Sequence, residues 1–304
     1  MAISRAQLVK ELEPGLNALF GLEYKRYENQ HAEIYVTESS DRAFEEEVML
    51  SGFANAQVKA EGSGVSFDEA QETYTARYTH DTIALAFAIT EEAIEDNLYD
   101  RIASRYTKAL ARSMSNAKQV KAAAPLNNGL SSVATFKAGD TVSLFSTNHT
   151  TVSGTAVKNT LTTQADLNET SLEQGLIDIA AMTDERGLRV AARGMKMIIP
   201  SANQFAAERL LKSQGRTGTA DNDINAVVSM GMVPQGYRVN NFLTDTDSWY
   251  IVTDVPNGMK MFQRAALKTA MEGDFDTGNV RYKARERYSF GVSDYRGIFG
   301  VEGA

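Results

Sequence analysis

The sequence predicts an α+β fold. Strand-like and helix-like segments are mixed without a regular βαβ repeat, and a long amphipathic helix is expected over 91–124. A composition of 43% hydrophobic and 23% charged residues is that of a packed globular chain. The 304 residues hold enough apolar material for one large or two medium cores.

Residues 1–44 read as an arm. A short amphipathic helix around Ile3 to Leu12 is expected to break at Glu13-Pro14-Gly15, and the polar, Tyr-rich segment YKRYENQHAEIY follows. From Phe44 the flanks of Glu61-Gly62-Ser63-Gly64 alternate like two strands joined by a turn. Tyr74, Ala76, Tyr78 and His80 fall on one face, with Thr75, Arg77 and Thr79 on the other. Such a hairpin buries too little area to be stable alone, so it is expected to lie against something else, such as another copy of the chain.

Ile83, Leu85, Phe87 and Ile89 then alternate with alanines, and Thr90 before Glu91 and Glu92 predicts an N-cap with acids at the positive end of a helix. That helix is expected to end near Ala124, before Pro125, and spans ~50 Å at ~1.5 Å per residue. Ile94, Leu98, Ile102, Tyr106, Leu110, Met114, Ala117 and Val120 form its predicted apolar face. Its charges are segregated, with Glu91, Glu92, Glu95, Asp96 and Asp100 ahead of Arg101, Arg105, Lys108, Arg112, Lys118 and Lys121. Two readings stand: complementarity to the helix dipole on a solvated face, or acidic and basic ends set against those of neighbouring copies.

Thr170-Ser171-Leu172-Glu173 predicts a capping box opening a second helix. MKMIIPSANQFAAERLLKS reads as a buried strand, a break and a helix over 202–213, and Pro256-Asn257-Gly258 reads as a hairpin turn between later strands. Near the C-terminus, Arg281, Lys283, Arg285 and Arg287 share one strand face at period two. They suit either a solvated edge strand protected by charge or a basic contact surface for acidic segments such as Glu45, Glu46 and Glu47.

A formal charge of −8 and a pI near 5.1 argue against a surface built throughout to neutralise nucleic-acid phosphates. The absence of cysteine removes disulfides, thiolate nucleophiles and cysteine-based metal sites. The N-terminus lacks the continuous apolar core of a signal peptide, and no stretch approaches ~18 uninterrupted apolar residues, so a cytoplasm-like setting without a membrane is expected.

Nucleophile elbows, phosphate loops of the GxxxxGK[ST] type and HExxH motifs are absent. The pairs Asp221/Asp223, Asp245/Asp247 and Asp274/Asp276 lack the Glu that would close a calcium loop, since Met232, Pro256 and Arg285 stand there. Turn and cap roles are expected for them. His31, His80 and His149 are far apart in sequence, and His149 has no identifiable nucleophile beyond nearby Ser143 and Ser146. No enzymatic activity, catalytic residue, metal or cofactor is expected.

Several ordered stretches together resemble the major capsid proteins of tailed bacteriophages, which have the Hong Kong 97 fold. They are AFEEEVMLSGFANA, YTHDTIALAFAITEEAIEDNLYDRIASRYTKALARSM, SLFSTNHTTVSGTAVKNTLTTQADLNETSLEQGLIDIAAMTDERG, MIIPSANQFAAERLLKS and ERYSFGVSDYRGIFGVEGA. The resemblance covers most of the chain in the family's order. It implies an N-terminal arm (1–44), an extended loop (45–80), a peripheral domain (81–150) built on the spine helix 91–124, an axial domain (151–268) and return strands (269–304).

The implied function is mechanical. Copies would associate as hexamers and pentamers of an icosahedral shell that encloses double-stranded DNA without reading its sequence, in a virion assembled in the host cytoplasm. A separate scaffolding protein, a portal and a decoration protein are further expected partners. The contact candidates between subunits are Glu45, Glu46, Glu47, Lys59, Glu61, Arg77, Arg281, Lys283, Arg285 and Arg287. Some relatives crosslink a loop lysine to a neighbour's asparagine; Lys59 lies in the corresponding loop, and its surroundings identify no acceptor. The alternative is an encapsulin-like compartment, which shares the fold and encloses a cargo protein. In either shell Asn148-His149-Thr150 is expected to be a turn held by side-chain-to-backbone hydrogen bonds, with His149→Ala affecting stability or assembly geometry.

Overall fold

The computed structural model of the chain describes residues 5–95, 99–130, 135–215, 223–274 and 278–304. Helix α1 (Arg5–Arg26) runs through Pro14 without the predicted break; Ile3 lies outside the described residues. A proline inside a helix costs about 3 kcal/mol, and burying Leu16 and Phe20 recovers about 1.5–3 kcal/mol each. Both pack against Leu110, Ala111 and Met114 of the long helix and against Tyr282 and Ala284. The arm therefore belongs in part to its own subunit's core. A 3₁₀ turn at Gln30–Glu33 follows, and beyond it Ile34 and Tyr35 are buried, the Tyr35 hydroxyl donating to the Ala122 carbonyl at 2.6 Å.

The strands β1 (Val36–Ser39), β2 (Phe44–Leu50), β3 (Glu72–Thr79) and β4 (Asp81–Ile89) lead to helices α2 (Glu91–Glu95) and α3 (Tyr99–Asn127). Thr90 caps α2 as predicted, its Oγ1 accepting from the Ala93 amide at 3.4 Å. Helix α3 passes the expected stop at Ala124, because a proline in the last turn forfeits one hydrogen bond while Leu126 next to it is fully buried. Its buried stripe is Ala103, Thr107, Leu110, Ala111, Met114, Ser115, Lys118, Gln119, Ala122 and Leu126. Two members of the predicted face, Tyr106 and Val120, are instead half exposed, and the side chains of Ile94, Leu98 and Ile102 lie outside the description.

The later elements are β5 (His149–Thr150), β6 (Ala156–Val157), α4 (Glu169–Ala181), β7 (Gly194–Ile199), α5 (Gln204–Lys212), α6 (Ala226–Ser229), β8 (Tyr237–Val239), β9 (Trp249–Thr253), β10 (Met259–Gly273), β11 (Val280–Val292) and β12 (Ile298–Val301). The cap of α4 sits two residues upstream of the predicted box. Asn168 Oδ1 accepts from the Ser171 amide at 2.9 Å, and Ser171 Oγ accepts from the Asn168 amide at 3.0 Å. The Asp245 carboxylate accepts from the Asp247 amide, the turn role expected of that pair; Asp221 and Asp276 lie outside the described residues.

Two four-stranded sheets organise the molecule, with strand orders β1-β10-β11-β4 and β12-β9-β7-β8. In the first, β1 is parallel to β10 and the other pairs are antiparallel; in the second, only β7 and β8 are parallel. One core surrounds Trp249, Tyr250, Ile251, Leu172, Ile179 and Phe299 and continues to Tyr288, Val292 and Tyr35, so it joins the two sheets. A second core holds α1 and α3 on one face of the first sheet.

Strand β11 lies between β10 and β4, so the reading of 281–287 as an edge strand is corrected. The Pro256-Asn257-Gly258 turn is also no hairpin, since β9 and β10 belong to different sheets and the turn carries the chain between them. Asn257 there has φ 59°, and a Cβ on Gly258 would stand 2.7 Å from Gly297 Cα, so the backbone crossing requires glycine. The expected boundary at 268 falls inside β10, and β12, within 269–304, pairs with β9 in the second sheet.

Candidate assembly surfaces

The β2–β3 ribbon shows the predicted parity: Ala76, Tyr78 and His80 are buried, while Thr75, Arg77 and Thr79 are exposed. The Tyr78 ring meets Phe262 edge-on at 4.8 Å, and its hydroxyl bonds Ser293 Oγ, which anchors the base of the ribbon on β10 and the end of β11. Beyond Leu50 there is no anchor of that kind among the described residues. Residues 53–70 are exposed throughout, turning at Gly62 with φ 78°. Val58 is 100% and Phe67 97% exposed, and Phe53 and Val65 also face solvent. Contact with the rest of the chain is made near the root, where Arg186 bonds the Glu69 carbonyl and lies 3.9 Å from Asp68.

The three glutamates of β2 divide by parity. Glu45 accepts from Ser40 Oγ at 2.7 Å, and Glu47 pairs with the buried Lys260 at 2.5 Å and accepts from Ser293. Burial acts to lower the Lys260 pKa, but Glu47 and Glu38 outweigh it and hold the amine above its usual range. Only Glu46 points outward, 3.7 Å from Arg77, whose guanidinium lies 4.0 Å over the Phe44 ring. Lys59 and Glu61 stand in the exposed tip with no ion pair among the described residues.

On β11, Arg281, Lys283 and Arg285 are exposed on one face, and Arg287 at its end is half buried. Arg281 pairs with Asp274; Lys283 and Arg285 have no carboxylate partner among the described residues. Their cross-strand neighbours on β4 are Ala84, Ala86 and Ala88, all exposed, and on β10 Lys268 stands opposite Arg285. This sheet face is therefore a floor of alanine with a row of cations, with the exposed Glu272 opposite Arg281 at one end. It lies opposite the face covered by α1 and α3, because alternate residues point to opposite sides.

Glu286 has the other parity and is fully buried. Lys118 Nζ lies 3.3 Å from it, and the Tyr24 hydroxyl donates to it at 3.5 Å, tying α1, α3 and β11 together. Burial pushes its carboxyl above the usual range, against the pull of Lys118 and Tyr24. A second buried cluster sits where β11 passes to β12: Arg296 pairs with Glu185 at 2.5 Å and Asp294 at 3.2 Å and donates to the Thr183 carbonyl at 2.8 Å. Sequence reasoning missed both clusters, although the parity of Glu286 among the arginines is a signal that it faces inward.

The three histidines occupy three separate places. His149 is fully buried at the start of β5, with Nδ1 2.5 Å from Asp140, Nε2 3.2 Å from Asn159 Oδ1, and its ring stacked on Tyr295 at 3.9 Å. The expected turn at 148–150 is thus a strand start whose histidine is held by side chains. Ser143 donates instead to the Gly129 carbonyl, and Ser146 accepts from the Asn148 amide. His80 lies between Ser40 and Ser289, at 2.9 and 3.0 Å. His31 meets Gln119 at 3.0 Å, and burial, with Lys118 nearby, lowers its pKa to about 4 against the help of Gln119.

His31 thus binds a proton less readily folded than unfolded. Its contribution to stability is present above about pH 6.5 and is lost as pH falls toward about 4. Burial lowers the His80 pKa in the same sense, with Arg287 adding to it and Glu45 opposing. Melting curves from pH 7 to 4 should show His31→Gln losing less stability over this window than wild type, by about 1–2 kcal/mol. Parallel curves would remove His31 from the acid response.

The family model described as phage capsid protein matches residues 73–301. None of the curated proteins matches the chain. Among solved structures, the fold is similar to the capsid of an empty GTA particle (14% identity, 91% of each chain covered, TM-score 0.55). It is similar to the procapsid of bacteriophage JBD30 at 13% identity, covering 99% of this chain and 77% of that one, with TM-score 0.55. A virus-like particle from Pyrococcus furiosus is 11% identical, with 95% and 98% covered and TM-score 0.54. The family match favours the capsid reading over the encapsulin alternative. The chain belongs to the phage capsid protein family and is a major capsid protein with the Hong Kong 97 fold, a component of the virion.

Proposed function

We propose that copies of this chain close into an icosahedral shell of hexamers and pentamers by laying the hairpin tip of one copy on the cationic sheet face of another. The observation that carries this reading is the tip itself: Val58, Val65 and Phe67 are exposed beside Glu61, Asp68, Glu69 and Glu72, with nothing among the described residues to cover them. Such apolar residues with an acidic surround fit a floor of small apolar side chains edged by Lys283 and Arg285. Each subunit would make several contacts at once, so modest energies per contact suffice for a closed shell.

In this reading the first sheet with α1 and α3 is the peripheral domain, the second sheet with α4 and α5 is the axial domain, and β2–β3 is the extended loop. The shell encloses double-stranded DNA and assembles in the host cytoplasm. A separate scaffolding protein and a portal are the further partners of this reading.

Sedimentation and negative-stain microscopy of the purified protein test the reading. Megadalton shells are expected, and a stable monomer or dimer under all assembly conditions would sink it. Lys283→Glu with Arg285→Glu should lower shell yield at least tenfold while shifting subunit stability by less than about 0.5 kcal/mol, as exposed sites do. An unaltered yield would take this sheet face out of the contact. Arg287 is the poorer choice for reversal because it is half buried and close enough to His80 to bear on its pKa.

A further inference from the structure

The outer face of α3 carries a second cationic surface, unrelated to the first. Arg105, Lys108 and Arg112 are exposed, and their i, i+3, i+7 spacing places them on one stripe about 10 Å long. The later cations of the helix are engaged, Lys118 with Glu286 and Lys121 with Asp81. The three upstream cations have no ion pair among the described residues, and the sequence from 101 to 127 contains no aspartate or glutamate to offset them.

The helix dipole does not account for them. Its effect is confined to the terminal turn, the last turn of α3 has no basic residue, and the three cations end about four turns before Asn127. Simple solvation explains single lysines, yet leaves unexplained an acid-free cationic stripe in a chain of net charge −8.

A folded protein partner would need an apolar centre. Among the described side chains of α3, the large apolar ones that are exposed are Tyr106 and Val120, which helical spacing puts roughly 60–100° round from Arg105, at the edge of this face and not among the cations. Asn116, exposed one turn beyond Arg112 on the same stripe, is a residue type that hydrogen-bonds phosphate oxygens. Because α3 packs on the Tyr282 and Ala284 side of the sheet, the stripe and the Lys283–Arg285 row face opposite ways, leaving each free for a different partner.

We propose that Arg105, Lys108 and Arg112 contact the phosphates of duplex DNA held against one wall of the shell, without reading its sequence. The proposal rests on the capsid reading and adds which surface meets the nucleic acid. It also reconciles an acidic chain with a DNA-filled shell: most of the surface repels the duplex, and one stripe per subunit holds it.

The test is fluorescence anisotropy of a mixed-sequence 30-base-pair duplex with the full chain across a salt series. Wild type should bind with affinity that falls steeply with salt and is equal for a second, unrelated sequence. Arg105→Gln, Lys108→Gln and Arg112→Gln together should reduce the slope of log K against log salt by about 2–3, and Arg112→Gln alone by about 0.9. The single variant keeps the test decisive if the triple variant misfolds. Lys283→Ala with Arg285→Ala should leave the slope unchanged.

No binding by wild type, equal slopes in wild type and variants, or displacement by polyglutamate as effective as by duplex at equal charge would each overturn the proposal; the last would point to an acidic protein instead. Negative stain of the same samples separates the two ideas. Absent shells sink the proposed assembly, and shells with unaltered DNA binding sink this inference alone.

Discussion

A chain in which residues 58–67 are replaced by a short glycine turn should fold with the melting temperature of wild type and form no shells. The segment is exposed throughout, so removing it leaves no cavity and strands no buried polar group. The excision spares Asp68 and Glu69, which contact Arg186, and the Ser51–Gln71 backbone hydrogen bond of 2.8 Å that closes the ribbon below it. What it removes is Val58, Val65 and Phe67. Covering these on a neighbour is worth about 1.5–3 kcal/mol for each fully buried side chain, a gain repeated at every copy of the contact. Subunit melting by circular dichroism and particle yield by sedimentation check both halves. Normal shells from the excised chain would show that the tip is not the device that joins copies, and a chain that cannot fold would show that the tip belongs to the subunit's own core.

Features set by local period were legible in the sequence. Strand alternation alone places Tyr78 and His80 on the inner face of the ribbon and Arg281, Lys283 and Arg285 on one outer face, as found. Features set by distant partners were not. The predicted face of α3 included Tyr106 and Val120 because they are apolar, yet the buried stripe holds Lys118 and Gln119, whose burial is made tolerable by Glu286 and His31. Those partners come from β11 and from the arm, and no helical periodicity reveals them. Pro14 and Pro125 were read as helix ends for the same reason. Proline's local cost is visible in the sequence, whereas the packing of Phe20 and Leu126 that outweighs it is tertiary. The assembly surfaces divide likewise: the exposed tip follows from a hairpin too thin to have its own core, but the inward turn of Glu45 and Glu47 depends on Ser40 and Lys260.

Arg296→Met should cost the subunit about 3–5 kcal/mol, the loss expected when one partner of a buried ion cluster is removed and the others stay charged. Arg296 is 3% exposed, and its guanidinium holds Glu185 and Asp294 together with the Thr183 carbonyl. Without it two carboxylates face each other in a site with little water. The damage falls at a junction: residues 293–297 carry the chain from β11 in the first sheet to β12 in the second, beside the glycine crossing of 258 and 297. At roughly 2 °C per kcal/mol for a chain of this size, the melting temperature should fall by about 6–10 °C. Adding Glu185→Gln and Asp294→Asn should restore much of the loss, because both amides keep a carbonyl oxygen to accept from the Val152 and Arg296 amides that the carboxylates now serve. If the triple variant is as unstable as Arg296→Met alone, the arginine acts through its packing and not as the countercharge of the junction.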